Sequence, residues 1–164
     1  MKYLFEDTRN KIGKHKNIEE YCRNNGIEIV RQSLCVGDYT LPADHSVCID
    51  TKKDLLELAM DLGNDKSRFY KEVRRAVQYG IKLIVLTEHG GKVKSIQDVA
   101  AWNNPLLNPR HPKHCANAMT GRELMERIYR CHIAYGAEFL FCDKRETGRR
   151  ILELLGGDTI ERGA

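Results

Sequence analysis

No C-x-x-C pair occurs in this sequence; its six cysteines (Cys22, Cys35, Cys48, Cys115, Cys131 and Cys142) are scattered. That spacing argues against a zinc ribbon and against a compact disulfide framework. Most of the cysteines fall inside apolar runs, where a reduced thiol acts as a small hydrophobe. Long hydrophobic runs are also missing. Nothing approaches the roughly 20 apolar residues that span a bilayer, and the N-terminus has no apolar signal segment. Internal repeats, low-complexity tracts and obvious linkers are absent too. The expectation is a protein of a reducing cytoplasm, with no membrane association.

What is present suits one domain, 1–164: the 164 residues are enough for a sizeable core, and 41% hydrophobic with 30% charged is an ordinary globular balance. Lys and Arg number 27 against 23 Asp and Glu, a net charge of +4. This mild excess suits a polyanionic partner without requiring one.

Met1–Phe5 reads as a strand that delivers the charged run Glu6-Asp7-Thr8-Arg9 at its C-terminal end. Asn17–Asn25 carries Ile18, Tyr21 and Cys22 at helical spacing, with Gly26 at the C-cap position. Ile27–Leu34 is β-branched, Val36-Gly37-Asp38-Tyr39 is turn-prone, and Val47–Lys52 resumes an extended pattern, which together read as a hairpin with Asp38 at its turn. A long helical stretch, Asp54–Tyr79, is broken near Gly63-Asn64; its second half puts Phe69, Val73, Ala76 and Val77 on one stripe. Ile81–Thr87 is a buried strand. Ser95–Asp98 looks like a capping box opening a helix to about Trp102, and Asn103–Lys113 is an irregular loop. Thr120–Glu123 opens another helix with Leu124, Ile128, Cys131 and Tyr135 inward. Ala137–Cys142 is a strand, and Asp143–Leu155 is a last helix closed by Gly156-Gly157. The order β-α-β-β-α-β-α-α-β-α predicts an α/β sandwich with a central mixed β-sheet flanked by helices, the core in 1–90 and the closing elements in 91–158.

Side chains alternate faces along Val47–Lys52, so Asp50 and Lys52 share one patch while Val47, Ile49 and Thr51 face the other way. With Asp38 across from them, the chain reads Asp38, eleven residues, then Asp50-x-Lys52. Two carboxylates suit Mg²⁺, a hard cation with oxygen ligands that keeps several waters. A lysine beside them can orient a water and stabilise charge developing on a phosphate.

The pattern is similar to the PD-(D/E)XK nuclease signature, and its neighbours are more specific. Phe5-Glu6-Asp7-Thr8-Arg9, Val36-Gly37-Asp38-Tyr39, Asp50-Thr51-Lys52 with Asp54-Leu55, and Ser67-Arg68-Phe69 occur in the order of the XPF-type nuclease domain. The Gly136–Phe141 strand and Thr147–Leu155 helix resemble its closing elements. The resemblance implies a three-layer restriction-endonuclease-like sandwich and a metal-dependent DNA endonuclease using Mg²⁺, with Mn²⁺ substituting. It implies Asp7, Asp38 and Asp50 as the acidic catalytic and metal-site residues, with Asp38 and Asp50 the foremost direct ligands, and Lys52 as the catalytic lysine. Arg9, Arg68 and Glu72 would support the site, the last two one helical turn apart. Branched or flapped DNA is the implied substrate, in repair, recombination or phage DNA processing.

The sequence departs from the family pattern in several places. Asp50 stands for the usual glutamate, Thr51 for an arginine and Asn10 for a glutamate, and the expectation is a chain without the tandem helix-hairpin-helix module. The expectation is a stand-alone bacterial or phage-type member that targets DNA through its own surface, a homodimer or a partner protein. The alternatives are a catalytically weak DNA-binding or scaffold subunit of a nuclease complex, and a restriction-type or junction-resolving nuclease.

Lys71 and Arg75 belong to a basic helix face, and Arg110 and Lys113 to a basic loop; all four are candidate DNA contacts. His111, His114 and Cys115 lack an evident fourth ligand for zinc, so a mobile DNA-contact loop is the reading there. Trp102 and Tyr39 are candidates for base stacking or for packing at core edges. Arg145, Arg149 and Arg150 read as solvated.

Overall fold

The computed structural model describes residues 2–91 and 93–156. The chain runs β1 (Lys2–Asp7), α1 (Lys16–Asn24), β2 (Ile27–Gln32), β3 (Tyr39–Leu41), β4 (Asp44–Lys52), α2 (Leu55–Leu62), α3 (Arg68–Gln78), β5 (Lys82–Glu88), α4 (Gly121–Tyr135), β6 (Glu138–Cys142) and α5 (Thr147–Leu154).

Local chemistry explains where the helices start. Asp54 caps α2 by accepting from Glu57 N at 2.7 Å, Ser67 caps α3 through Tyr70 N, and Thr120 with Glu123 forms the full capping box of α4. The Ser95 box is only half of one. Asp98 accepts from Ser95 N and Oγ, but no side chain caps the turn, and Gln97–Ala101 is a 3₁₀ helix rather than an α-helix. The last helix likewise begins later than expected, after a 3₁₀ turn over Lys144–Glu146. Of the two glycines expected to close it, Gly156 follows at φ +80°, and Gly157 lies outside the described residues. On α3 the buried stripe is Phe69, Tyr70, Val73 and Ala76, whereas Val77 in the last turn is exposed. Tyr70 is covered by Tyr135 of α4, their rings edge-on at 6.1 Å.

The six strands form one mixed sheet in the order β2-β1-β3-β4-β5-β6, parallel except for β3. This corrects the expected hairpin. β2 does not pair with β4; it lies parallel to β1 at the sheet edge, because α1 supplies the crossover that a parallel pair needs. The hairpin is β3–β4, turned by Pro42-Ala43, and Asp38 stands just before β3 rather than at the tip.

Helices cover both faces, giving three layers. On one side α2, α3 and α4 bury Leu58, Phe69, Ile128 and others against Cys48, Val85 and Phe139. On the other, α1 and α5 bury Ile18, Cys22 and Ile151 against Leu4, Ile49 and Leu86. Cys22, Cys48, Cys131 and Cys142 are buried free thiols, and Cys35 and Cys115 are exposed. No helix among the described residues is long and apolar enough to cross a membrane. Since β1 and β4 run in parallel with β3 reversed between them, the ends of β1 and β4 and the start of β3 meet at one edge. The carboxyl ends of parallel strands are where open α/β sheets bind ligands.

Candidate active site

Asp7 ends β1, Asp38 precedes β3, and Asp50 and Lys52 end β4, so three segments distant in sequence deliver four charged side chains to one place. The backbone locks them together. Asp38 N donates to Ile49 O (2.7 Å) and Asp38 O accepts from Asp7 N (2.8 Å). Just before it, Gly37 has φ +74°, and a Cβ there would lie 2.9 Å from Ile49 O. Its N–H donates to Glu72 Oε1 at 2.8 Å, tying α3 to the strand ends.

A cleft of about 380 Å³ opens here, lined by Asp7, Arg9, Asp38, Asp50, Lys52, Arg68 and Glu72. These are all the residues that the sequence put at the catalytic centre or in its support. Asp50 and Lys52 do share a face, with Lys52 Nζ 2.7 Å from Asp50 Oδ2. Thr51, where the family pattern has arginine, makes a different bond: its N (2.9 Å) and Oγ1 (2.5 Å) both donate to Asp38 Oδ2.

Burial sets the electrostatics. It pushes the Asp50 carboxyl up, the Lys52 ammonium pulls it down, and the carboxylates of Asp38 and Glu72 add to the upward push, leaving it above the ordinary range. For Lys52, burial alone would favour the neutral amine, but Asp50 and Asp61, each 2.7 Å away, hold it well above the usual lysine range. Lys52 is therefore an ammonium. Asp7 is also buried, yet the Arg9 guanidinium donates to both its oxygens and the Arg9 backbone N–H donates to Oδ1 as well, so the Asp7 carboxyl sits below the ordinary range.

The donor set fits a hard divalent cation. It is all oxygen, and Asp50 Oδ2 is a buried atom with no aligned hydrogen bond, its contact with Lys52 being an ion pair. Among the described residues no three carboxylate, imidazole or thiol groups converge as a ready-made metal site. A cation would therefore take Asp38 and Asp50 and complete its shell with water and substrate oxygens, as Mg²⁺ does. Asp7, with both oxygens held by Arg9, is committed elsewhere.

The other candidates lie apart. Lys71 and Arg75 are on α3 outside the cleft lining, Arg75 donating to Cys35 O at 2.8 Å. Arg110 and Lys113 are exposed on the 103–119 loop, where His111 Nδ1 accepts from Lys113 N and His114 Nδ1 lies 3.0 Å from Leu106 O. Tyr39 is fully buried and donates to Glu6 Oε1 at 2.8 Å, and Trp102 packs against the core, so both are packing residues. Arg145, Arg149 and Arg150 pair with Asp143, Glu146 and Glu153 on or near α5. Sequence reasoning missed Lys11 and Lys14, which line the cleft, and Asp61, which grips Lys52. The basic run after Arg9 was a legible signal for the lysines. Nothing local marks Asp61, nine residues beyond Lys52 on a mainly apolar helix.

The family model for the ERCC4 domain matches residues 7–154. Among solved structures, the chain is similar to XPF from Aeropyrum pernix, with a TM-score of 0.62 at 18% identity, covering 97% of this chain and 66% of that one. It is also similar to XPF from Aeropyrum pernix in complex with DNA, with a TM-score of 0.64 at 16% identity, covering 100% and 68%. The chain thus spans about two thirds of the length of these structures. No match was found among the curated proteins.

Proposed function

Because the chain belongs to the ERCC4 domain family, we propose that it is a metal-dependent DNA endonuclease that hydrolyses a phosphodiester bond in the cleft between β1, β4 and α3. The observation that carries this reading is the juxtaposition of Asp38, Asp50 and a charged, buried Lys52 on one wall of an open polar cleft. Water adds its oxygen to phosphorus as the bond from phosphorus to the leaving sugar oxygen breaks. Asp38 and Asp50 would hold Mg²⁺, or Mn²⁺ in its place. When bound, such an ion neutralises charge on the phosphate and acidifies a water ligand.

The chain's own groups do the rest. The Lys52 ammonium donates to a phosphate oxygen or to the attacking water, and being charged before substrate arrives it needs little reorganisation as negative charge builds. Thr51 and the backbone of Ile49 keep the Asp38 carboxylate at a fixed angle. Glu72 holds the Gly37 turn, and Arg9 holds Asp7. Arg68, exposed at the start of α3 on the cleft rim, meets a phosphate next to the cut. Lys71, Arg75, Arg110 and Lys113 meet backbone phosphates farther away. Branched or flapped DNA is the proposed substrate, with a second copy or a partner protein adding to DNA targeting in repair, recombination or phage DNA processing.

The test is incubation of the purified protein with Mg²⁺ or Mn²⁺ on flap, fork, junction, linear duplex and single-stranded DNA, beside Asp50→Asn, Lys52→Ala and an EDTA control. Cleavage by the wild type should disappear in EDTA and fall at least about a hundredfold in both variants, the scale of losing one charged stabiliser. Cleavage that survives in both variants would refute the assignment. DNA binding without cleavage of any substrate would make the protein a scaffold or targeting subunit.

A further inference from the structure

Lys52 has two carboxylate partners, and only one of them belongs to the site described above. Its Nζ lies 2.7 Å from Asp50 Oδ2 and 2.7 Å from Asp61 Oδ2 on α2, with the Phe69 ring face 5.1 Å away. The lysine side chain is 9% exposed and that of Asp61 32%, so the ammonium is enclosed and Asp61 reaches it from the solvent side. A buried ammonium without a counter-charge is strongly unfavourable. Asp50 cannot serve that need at all times. A divalent cation on its oxygens takes up their charge and repels the neighbouring ammonium, and of the two partners only Asp61, together with the Phe69 ring, then remains to hold it.

We propose that Asp61 is a positioning residue that anchors the Lys52 ammonium at the cleft wall when Asp50 is engaged by a cation. Asp61 touches neither the scissile phosphate nor the cation; it acts through Lys52. Its place in the last turn of α2 keeps the lysine from following Asp50 or turning toward solvent. The role of Asp61 in turnover rests on the nuclease reading above, but the anchoring itself can be tested without it.

The test has two arms. In the first, metal-free protein labelled with ¹⁵N is used to record the side-chain ammonium signal of Lys52, which slow exchange makes visible when the group is buried and held. Asp50→Asn stands in for an Asp50 whose charge has been taken up. The Lys52 signal should persist in Asp50→Asn and vanish in Asp50→Asn/Asp61→Asn. Loss of the signal in Asp50→Asn alone, or its survival in the double variant, would overturn the proposal. Backbone amide spectra report folding, and Asp61→Ser replaces Asp61→Asn if the amide does not fold.

In the second arm, Asp61→Asn should lower kcat on DNA about tenfold with KM unchanged, the scale of one charged hydrogen bond. Asp61→Glu, which keeps the charge, should recover part of it. A fall in melting temperature with kcat unchanged in Asp61→Asn would show a merely structural role and refute the positioning. If the wild type cleaves no DNA, the nuclease reading fails, and the ammonium signals alone decide whether Asp61 is the anchor.

Discussion

Gly37→Ala tests the way the site is assembled. Gly37 sits at φ +74°, a left-handed conformation that costs an alanine about 1 kcal/mol. The new Cβ would also lie 2.9 Å from Ile49 O and 3.0 Å from Cys48 Cβ. Ile49 O cannot step aside, because it already accepts from Asp38 N within the β3–β4 register. Forcing a methyl into such a place adds roughly 1–3 kcal/mol. The sum, about 2–4 kcal/mol, is a fall of roughly 4–16 °C in melting temperature for a chain of this length. Gly26→Ala is the internal control: its φ is +66°, but a Cβ there meets nothing within 4 Å. It should lose only the conformational part, about 2–4 °C. Thermal melts of the three proteins by circular dichroism decide the matter. The reasoning is refuted if Gly37→Ala melts no lower than Gly26→Ala. Because the Gly37 N–H also holds Glu72, and Asp38 follows directly, Gly37→Ala should lose DNA cleavage at temperatures where it is still folded.

Two further perturbations test the electrostatics. Arg9 holds the Asp7 carboxyl below its ordinary value, so the bond stabilises the fold above the ordinary carboxylate range, near about 3.9, and that contribution fades as pH falls through the lowered folded value. In urea melts the stability gap between wild type and Asp7→Asn should be full at pH 7 and shrink below pH about 3.9; a gap that grows with acid contradicts this. Lys11, Lys14 and Arg68 line the cleft and are expected to meet phosphates. Changing each to alanine should reduce the slope of log K against log salt for DNA binding by about one, and an unchanged slope removes that residue from the interface.

Much of the site was legible because its signals are local. The strand period of two put Asp50 and Lys52 on one face, and that pairing is seen. The one-turn spacing of Arg68 and Glu72 brought both to the cleft. Helix starts at Thr120 and Asp54 follow from caps within three residues of chain. The misplacements are of another kind. Val77 fits the helical stripe as well as Tyr70 does, and the packing of α4, far along the chain, decides which is covered, its Tyr135 meeting the Tyr70 ring. The hairpin was drawn from neighbouring segments, while the choice of β1 as partner for β2 depends on α1 packing back over the sheet.

Local pattern along the chain therefore carries the chemistry on offer: the carboxylates and the lysine, their faces on each strand, and the α/β alternation that makes a mixed sheet. These depend on side-chain periodicity and capping, which act within a few residues. The folded arrangement is what pins Asp38 between β1 and β4, sets Arg9 on Asp7, and shares Lys52 between Asp50 and Asp61. Sheet order and helix docking bring together groups distant along the chain, and burial there makes each charge depend on partners that no local pattern names.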